Sequence, residues 1–247
     1  MVATSELTTR VTEGTTTIYV TVEVSSSILL LPEVPMTGRL DNPRVGYFTN
    51  PLTNFSDGQQ RVNKKQFITR WRLEPRPEDR AAYLRGEFVE PRKPIVFYIE
   101  NSTPYRWRKY IKQGIEDWQV AFERAGFKNA IIAKDITEDM EVDMDDVNYS
   151  VLTYAASTKA NAMGPSILDP RSGEILEADI MWWHNVLNML QEWITVQTGT
   201  VRPEARGIKL SDELMGDAMR FVACHEVGHS LGSVSYTHLT LPTILLV

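Results

Sequence analysis

One short stretch, "CHEVGHSLG" from Cys224 to Gly232, brings together residue types that can do chemistry: two histidines four positions apart and a glutamate beside the first. If the stretch is helical, four residues turn about 400°, so the His225 and His229 imidazoles share one face, with Cβ atoms about 6 Å apart. From there each ring can place a nitrogen about 2.0–2.1 Å from a single zinc ion. Zinc brings the pKa of a water it holds down toward about 7. Glu226, next to the first histidine, can take that proton as general base and pass it to a leaving amine. Glycine inside a helix costs about 1 kcal/mol relative to alanine. Gly228 therefore predicts something packed close against the helix. Gly232 predicts a left-handed helix end that turns the chain toward the metal.

A helix has to carry these groups. Ser211 is placed to cap it, Asp212 and Glu213 suit its first turn, and it runs to Gly232, about 30 Å on. Upstream, "IVFYI" (Ile95–Ile99) reads as a strand buried on both faces. Thr103 and Pro104 then read as cap and first residue of a helix. Its apolar stripe is Trp107, Ile111, Ile115, Trp118 and Phe122, and Gly126 closes it with Phe127 folding back. "NAIIAKDI" supplies the next strand, which implies a right-handed crossover between parallel strands. The acidic stretch Glu138–Asp146 lacks the glycine and spacing of a calcium loop and reads as a solvated loop. "YSVLTYAA" is strand-like, and "DPRSG" is a turn between two extended runs. Ile180, Trp182 and His184 alternate with Asp179, Met181 and Trp183, a pattern that predicts an exposed or edge strand. A short helix follows, with Asn185 as cap and Gly199 as stop.

The N-terminal part differs in texture. Residues 14–48 are β-rich, with "TTTIYVTVEV" the clearest strand. Gln60–Arg92 is charged and proline-punctuated, and its arginines read as a solvated face. No internal repeat is visible. The lone Cys224 excludes an internal disulfide and reads as a small buried helix residue. His184 reads as a surface residue.

At 247 residues, 43% hydrophobic and 23% charged, the chain can bury a full core. A net charge of -6 argues against a nucleic-acid partner. No run approaches the roughly 20 apolar residues of a membrane-spanning segment. The first residues lack the features of a signal peptide, so the expectation is either a cytosolic protein or a start lying further upstream.

"HEVGHSLG" resembles the metzincin pattern H-E-x-x-H-x-x-G-x-x-H at His225, Glu226, His229 and Gly232. "YIKQGIEDWQVAFERAGFKNAI", "GPSILDPRSGEILEADIMWWHN" and "DNPRVGYF" extend the likeness to a bacterial group of metzincin-like zinc proteases, over roughly residues 40–232. That resemblance implies an α+β, mixed fold. A zincin-like catalytic domain at 93–232, a twisted mixed sheet with an active-site helix, follows a partial β-rich region and linker at 1–92. It also implies a zinc endopeptidase acting on peptide or protein substrates, with Zn2+ on His225 and His229 and Glu226 as general base. Ile180, Met181 and Trp182 would form a cleft rim to which an extended substrate adds as a strand. The family's setting is periplasmic or extracellular.

The departure from the pattern is plain. Position 235, where the third histidine belongs, is Ser235, and His238 lies three residues late. No methionine turn follows. "VSYTHLTLPT" (Val234–Thr243) reads like a translated sequencing adapter, so residues 233–247 are expected to be a non-native tail. Catalytic zinc sites use three protein ligands; two histidines alone imply weak metal binding and poor activity, unless His238 substitutes after a rearrangement. The alternative reading is a metal-free module that holds extended peptides or glycans along the exposed strand. Glu226 separates the two, because pure binding has no use for an acid between two histidines.

Overall fold

The computed structural model describes residues 2–55, 58, 60–137 and 139–234. Position 235, His238 and all but the first two residues of the expected tail lie outside that range.

Threonine and valine dominate the first 27 residues, which form a hairpin of β1 (Val2–Glu13) and β2 (Thr16–Ser27) closed at Gly14, φ 61°. Only the second of these strands shows as a pattern in the sequence. After an irregular stretch come β3 (Thr49–Asn54) and β4 (Asn63–Ile68), paired antiparallel, then the two-residue β5 (Arg70–Trp71). A 3₁₀ turn leads into the short α1 (Arg80–Leu84).

The remaining elements are β6 (Ile95–Ile99), α2 (Tyr105–Glu116), α3 (Gln119–Arg124), β7 (Ile131–Asp135), β8 (Ser150–Ala155) and β9 (Ala162–Met163). They continue as β10 (Ser166–Asp169), β11 (Glu174–Ala178), β12 (Ile180–Trp183), α4 (Val186–Thr198) and α5 (Asp212–Ser230). A five-stranded sheet has the order β7-β6-β8-β12-β9. Its first four strands are parallel and β9 is antiparallel. A smaller sheet, β10-β11-β5, stands beside it. The architecture is α+β with a mixed sheet, and β6 and β7 are parallel neighbours, as the strand–helix–strand pattern implies.

The core lies on one face of the large sheet. Ile95, Phe97 and Ile99 are buried, whereas Val96 and Tyr98 on the other face are only half-buried. The expectation of a strand buried on both faces is therefore corrected: α2 and α5 cover one side only. These two helices approach closely at Gly114, where an added Cβ would sit 2.3 Å from the Arg220 carbonyl oxygen. Ile111 and Ile115 fill the seam with Met219 and Ala223.

The single helix expected after Thr103 is divided. Pro104 holds the cap position without a side-chain bond, and Thr103 is buried with no partner for Oγ1 among the described residues. At Asp117–Trp118 the helix breaks, and the Trp118 indole donates to the Cys224 carbonyl at 2.8 Å. Gly126, φ 89°, ends the segment and Phe127 folds back as expected. Asn185 stands at the start of α4, but its amide donates to the Thr158 carbonyl instead of capping the helix.

The division at residue 92 is not a gap in the packing. β5 pairs parallel with β11, and Trp71 and Leu73 pack on the main core. Arg61, Arg76, Arg80, Arg85 and Arg92 are exposed, as a solvated face requires, but Arg70 and Arg72 are half-buried. Arg72 meets Glu174 at 3.4 Å, and Arg70 and Arg72 donate to the carbonyls of Thr37 and Val34. No described helix is long and apolar enough to cross a membrane.

Beneath β8 lies a pair of acids. Burial and the adjacent Asp179 push the Glu177 carboxyl up to about 9. Burial raises Asp179 as well, although the Val151 N–H donates to its Oδ1 at 2.8 Å. An acid raised on folding from 4.5 to about 9 keeps its proton longer in the folded chain. Its stabilisation is complete below the lower value and drains away as pH climbs toward the upper one. Denaturant titrations are expected to show stability falling from about pH 5 to about pH 9, with a flatter slope in Glu177→Gln. Equal slopes in the two proteins would refute the pairing.

Candidate metal centre

Helix α5 is built as its sequence suggests. Ser211 adopts extended backbone and its Oγ accepts from the Leu214 N–H at 3.1 Å, with Asp212 and Glu213 in the first turn. Met219, Ala223 and Val227 are fully buried against sheet and α2, which fixes the rotation of the helix about its axis. That rotation brings His225 Nε2 to 3.1 Å from His229 Nε2, with the rings nearly perpendicular. For two nitrogens 3.1 Å apart, metal–nitrogen bonds of about 2.05 Å give an angle at a shared ion of about 98°, near the tetrahedral value. The donor pair fits zinc.

Hydrogen bonding selects the tautomer of one ring. His229 Nδ1 lies 2.9 Å from the Ser233 carbonyl oxygen, which can only accept. In the neutral ring Nδ1 therefore carries the proton and Nε2 keeps its lone pair, the arrangement of a histidine oriented to bind metal. Burial, followed by the charge of His229, lowers the pKa of His225 and so disfavours its charged form. Glu226 is 7% exposed, and its carboxyl is raised by burial against the opposing pull of His229. A raised carboxyl is a stronger base when ionised, which suits proton transfer near neutrality.

The end of α5 turns on the two glycines. A Cβ at Gly228 would lie 2.9 Å from the Trp118 ring, so an indole, and neither strand nor ligand, is what packs there. Gly232 has φ 102°, and a Cβ would reach 2.2 Å from the Thr69 carbonyl, so conformation and space both require glycine. Two neighbours escape a reading of the sequence. Ser233 orients His229, and the Phe48 ring stands 5.7 Å from that imidazole, centroid to centroid. The only hint is "DNPRVGYF", which meets α5 from far away in sequence and so leaves no local signature. Cys224 is half-buried and burial pushes its thiol up to about 11, in keeping with a structural residue.

The rim residues need correction. Ile180 and Trp182 are fully buried and Met181 half-buried, and β12 is paired on both sides, with β8 and β9. The edge of the sheet beyond β12 belongs to β9, the opposite edge to β7. Directly after β9, Gly164 passes so near α5 that a Cβ would meet Ser230 Oγ at 2.5 Å and the Glu226 carbonyl at 2.9 Å. The edge strand thus crosses the helix at Glu226. A two-residue strand shows no periodicity, so nothing in its sequence distinguishes it from loop. His184 is exposed, as expected, with Nδ1 2.9 Å from the Tyr154 hydroxyl.

Among the described residues no third histidine, cysteine or acid joins the pair as a metal cluster. Comparison with known families gives two partial matches. The model of the Met-zincin family matches residues 207–233, which contain α5, and that of a domain of unknown function (DUF5117) matches residues 1–76. No curated protein and no solved structure matches the chain. Residues 207–233 are thus a metzincin-like region.

The tautomer is open to measurement. Long-range nitrogen–proton NMR of the metal-free chain is expected to show the neutral His229 ring carrying its proton on Nδ1. A proton on Nε2 instead would contradict the orienting role of Ser233.

Proposed function

We propose that the chain carries the metal-binding helix of a zinc-dependent endopeptidase, with His225 and His229 as zinc ligands and Glu226 as general base. The convergence of two imidazole nitrogens to 3.1 Å beside a buried carboxyl carries this reading, and the Met-zincin match of residues 207–233 agrees with it. Zinc held there supplies Lewis acidity, polarising a scissile carbonyl and acidifying water.

The chain's own groups do the rest. Ser233 holds the His229 ring in place through Nδ1, so the lone pair at Nε2 is aimed without further ordering. Glu226 receives the proton of the attacking water and delivers it to the departing nitrogen of the peptide. Burial restricts water around that carboxyl and strengthens its interactions with what it faces. The unpaired side of β9 offers backbone groups to an extended peptide, which would lie across α5 near Glu226. The two side-chain positions of β9, Ala162 buried and Met163 exposed, leave main-chain pairing as its principal contact. A substrate recognised this way is an unfolded or extended segment. In keeping with the family likeness, its setting would be periplasmic or extracellular.

Calorimetric titration of the chain with Zn2+ tests the ligand assignment. His225→Ala and His229→Ala are each expected to weaken binding by at least about tenfold, whereas Glu226→Gln leaves it nearly unchanged. Cleavage of an unfolded protein, blocked by a chelator, should fall by about 10²-fold or more in Glu226→Gln. Zinc binding that survives both histidine substitutions would end this reading.

A further inference from the structure

We propose that Phe48 sets the specificity of the metal centre. Its ring is the wall against which a substrate side chain beside the scissile bond packs, so the substrate is an extended peptide with a bulky apolar residue at that point. The assignment rests on the peptidase reading and adds to it a residue from a part of the chain far from α5.

Aromatic rings stand in a row at the end of α5. Phe221, His225 and His229 recur at every fourth residue of the helix, a spacing that sets side chains on one face. Their ring centroids follow one another at 6.5 Å and 4.7 Å. Phe48 comes next, 5.7 Å from the His229 centroid and tilted by 49°. Its N–H donates to the carbonyl of Gly232, past the last helical turn, so it extends the row beyond His229. A metal on Nε2 lies about 3 Å from the centroid of its imidazole, which places the Phe48 ring within about 9 Å of the ion position. Neighbouring Cα atoms of a peptide are about 3.8 Å apart. A residue next to a carbonyl held at the metal therefore brings its side chain within reach of that ring.

Phe48 differs from the phenylalanines of the core. Phe97 is fully buried and Phe127 is 4% exposed, whereas Phe48 is 45% exposed and keeps much of its surface open. Its backbone, by contrast, is held on both sides: the N–H donates to Gly232 at 2.7 Å and the carbonyl accepts from the Thr69 N–H at 2.8 Å. A ring open to solvent on a clamped backbone is ready to receive a partner, because less has to be ordered on binding. At the other end of the row Phe221 is half-buried and packs on the core. Phe48 is thus the wall with room for an incoming side chain. Aromatic surface of this kind favours phenylalanine, leucine or methionine over glycine.

NMR titration of the full chain carrying Glu226→Gln, in which cleavage is suppressed, tests the wall by binding alone. The probes are the amidated hexapeptides Ala-Ala-Phe-Leu-Ala-Ala and Ala-Ala-Gly-Gly-Ala-Ala, each added with Zn2+ and again in chelator. The Phe-Leu peptide is expected to bind at least about tenfold more tightly than the Gly-Gly peptide. Adding Phe48→Ala should bring that ratio below about threefold, and Phe48→Leu, which keeps an apolar wall, should restore most of it. A merely structural role would weaken both peptides alike and leave the ratio standing. Zn2+ affinity by calorimetry should change less than about threefold in Phe48→Ala, since the ring donates nothing to the metal. A ratio untouched by Phe48→Ala overturns the assignment, as does a parent that does not discriminate between the peptides. A ratio that depends on Phe48 in chelator, in a chain that binds no zinc, would keep the wall and remove the peptidase reading, so the two failures are told apart.

Discussion

The last turn of α5 is held by a segment far away in sequence, and the geometry of the histidine pair depends on that grip. Phe48 N–H donates to the Gly232 carbonyl at 2.7 Å, Val234 N–H to Gly46, and the Trp71 indole to the Ser230 carbonyl at 2.9 Å. Carbonyls at the end of a helix have no partner inside it. Here the Trp71 indole and the Phe48 N–H supply partners, and the left-handed Gly232 lets the chain reach the second. Without these hydrogen bonds Ser233 would no longer stand beside His229 Nδ1, and the lone pair at Nε2 would lose its aim. Gly46, Phe48 and Trp71, from the region before residue 93, thus form part of the site's scaffold.

Burial then does the electrostatic work. Two imidazoles with nitrogens 3.1 Å apart cannot both be charged without strong repulsion, and low exposure penalises even one charge. Neutral rings with lone pairs turned inward are what a cation requires. The same burial raises Glu226 but does not isolate it, because His229 pulls in the opposite direction. Acid and ligands are tuned by one environment, set by the packing of α2 and Trp118 against α5.

Much of this is legible in the sequence because it is local. Ser211 as cap, His225 and His229 on one face, Gly232 as a left-handed stop and Gly126 with Phe127 all follow from spacing within a single turn or two. What fails is what depends on distant partners. Alternation along Ile180–Trp183 suggests an edge, yet β6 and β12 alternate for a different reason: helices cover one face of the sheet only. Alternating burial therefore occurs in β6 and β12, which both lie inside the sheet, and carries no information about the edge. The edge strand itself is too short to show a period. The break at Trp118 is hidden because the apolar spacing continues across α2 and α3, while the reason for the break is a hydrogen bond to Cys224.

The two ends of α5 complete the logic. A helix of 19 residues carries about half a positive charge at its start and half a negative charge at its finish. His225 and His229 occupy the last two turns, where that negative end favours a cation. Asp212 and Glu213 stand in the first turn, where the positive end favours acids. Each end of the helix thus carries groups suited to its own polarity, with Ala223, Val227 and Met219 pinned between them in the core. Because the helix is fixed by α2 along its length, neither end can shift without disturbing the seam at Gly114.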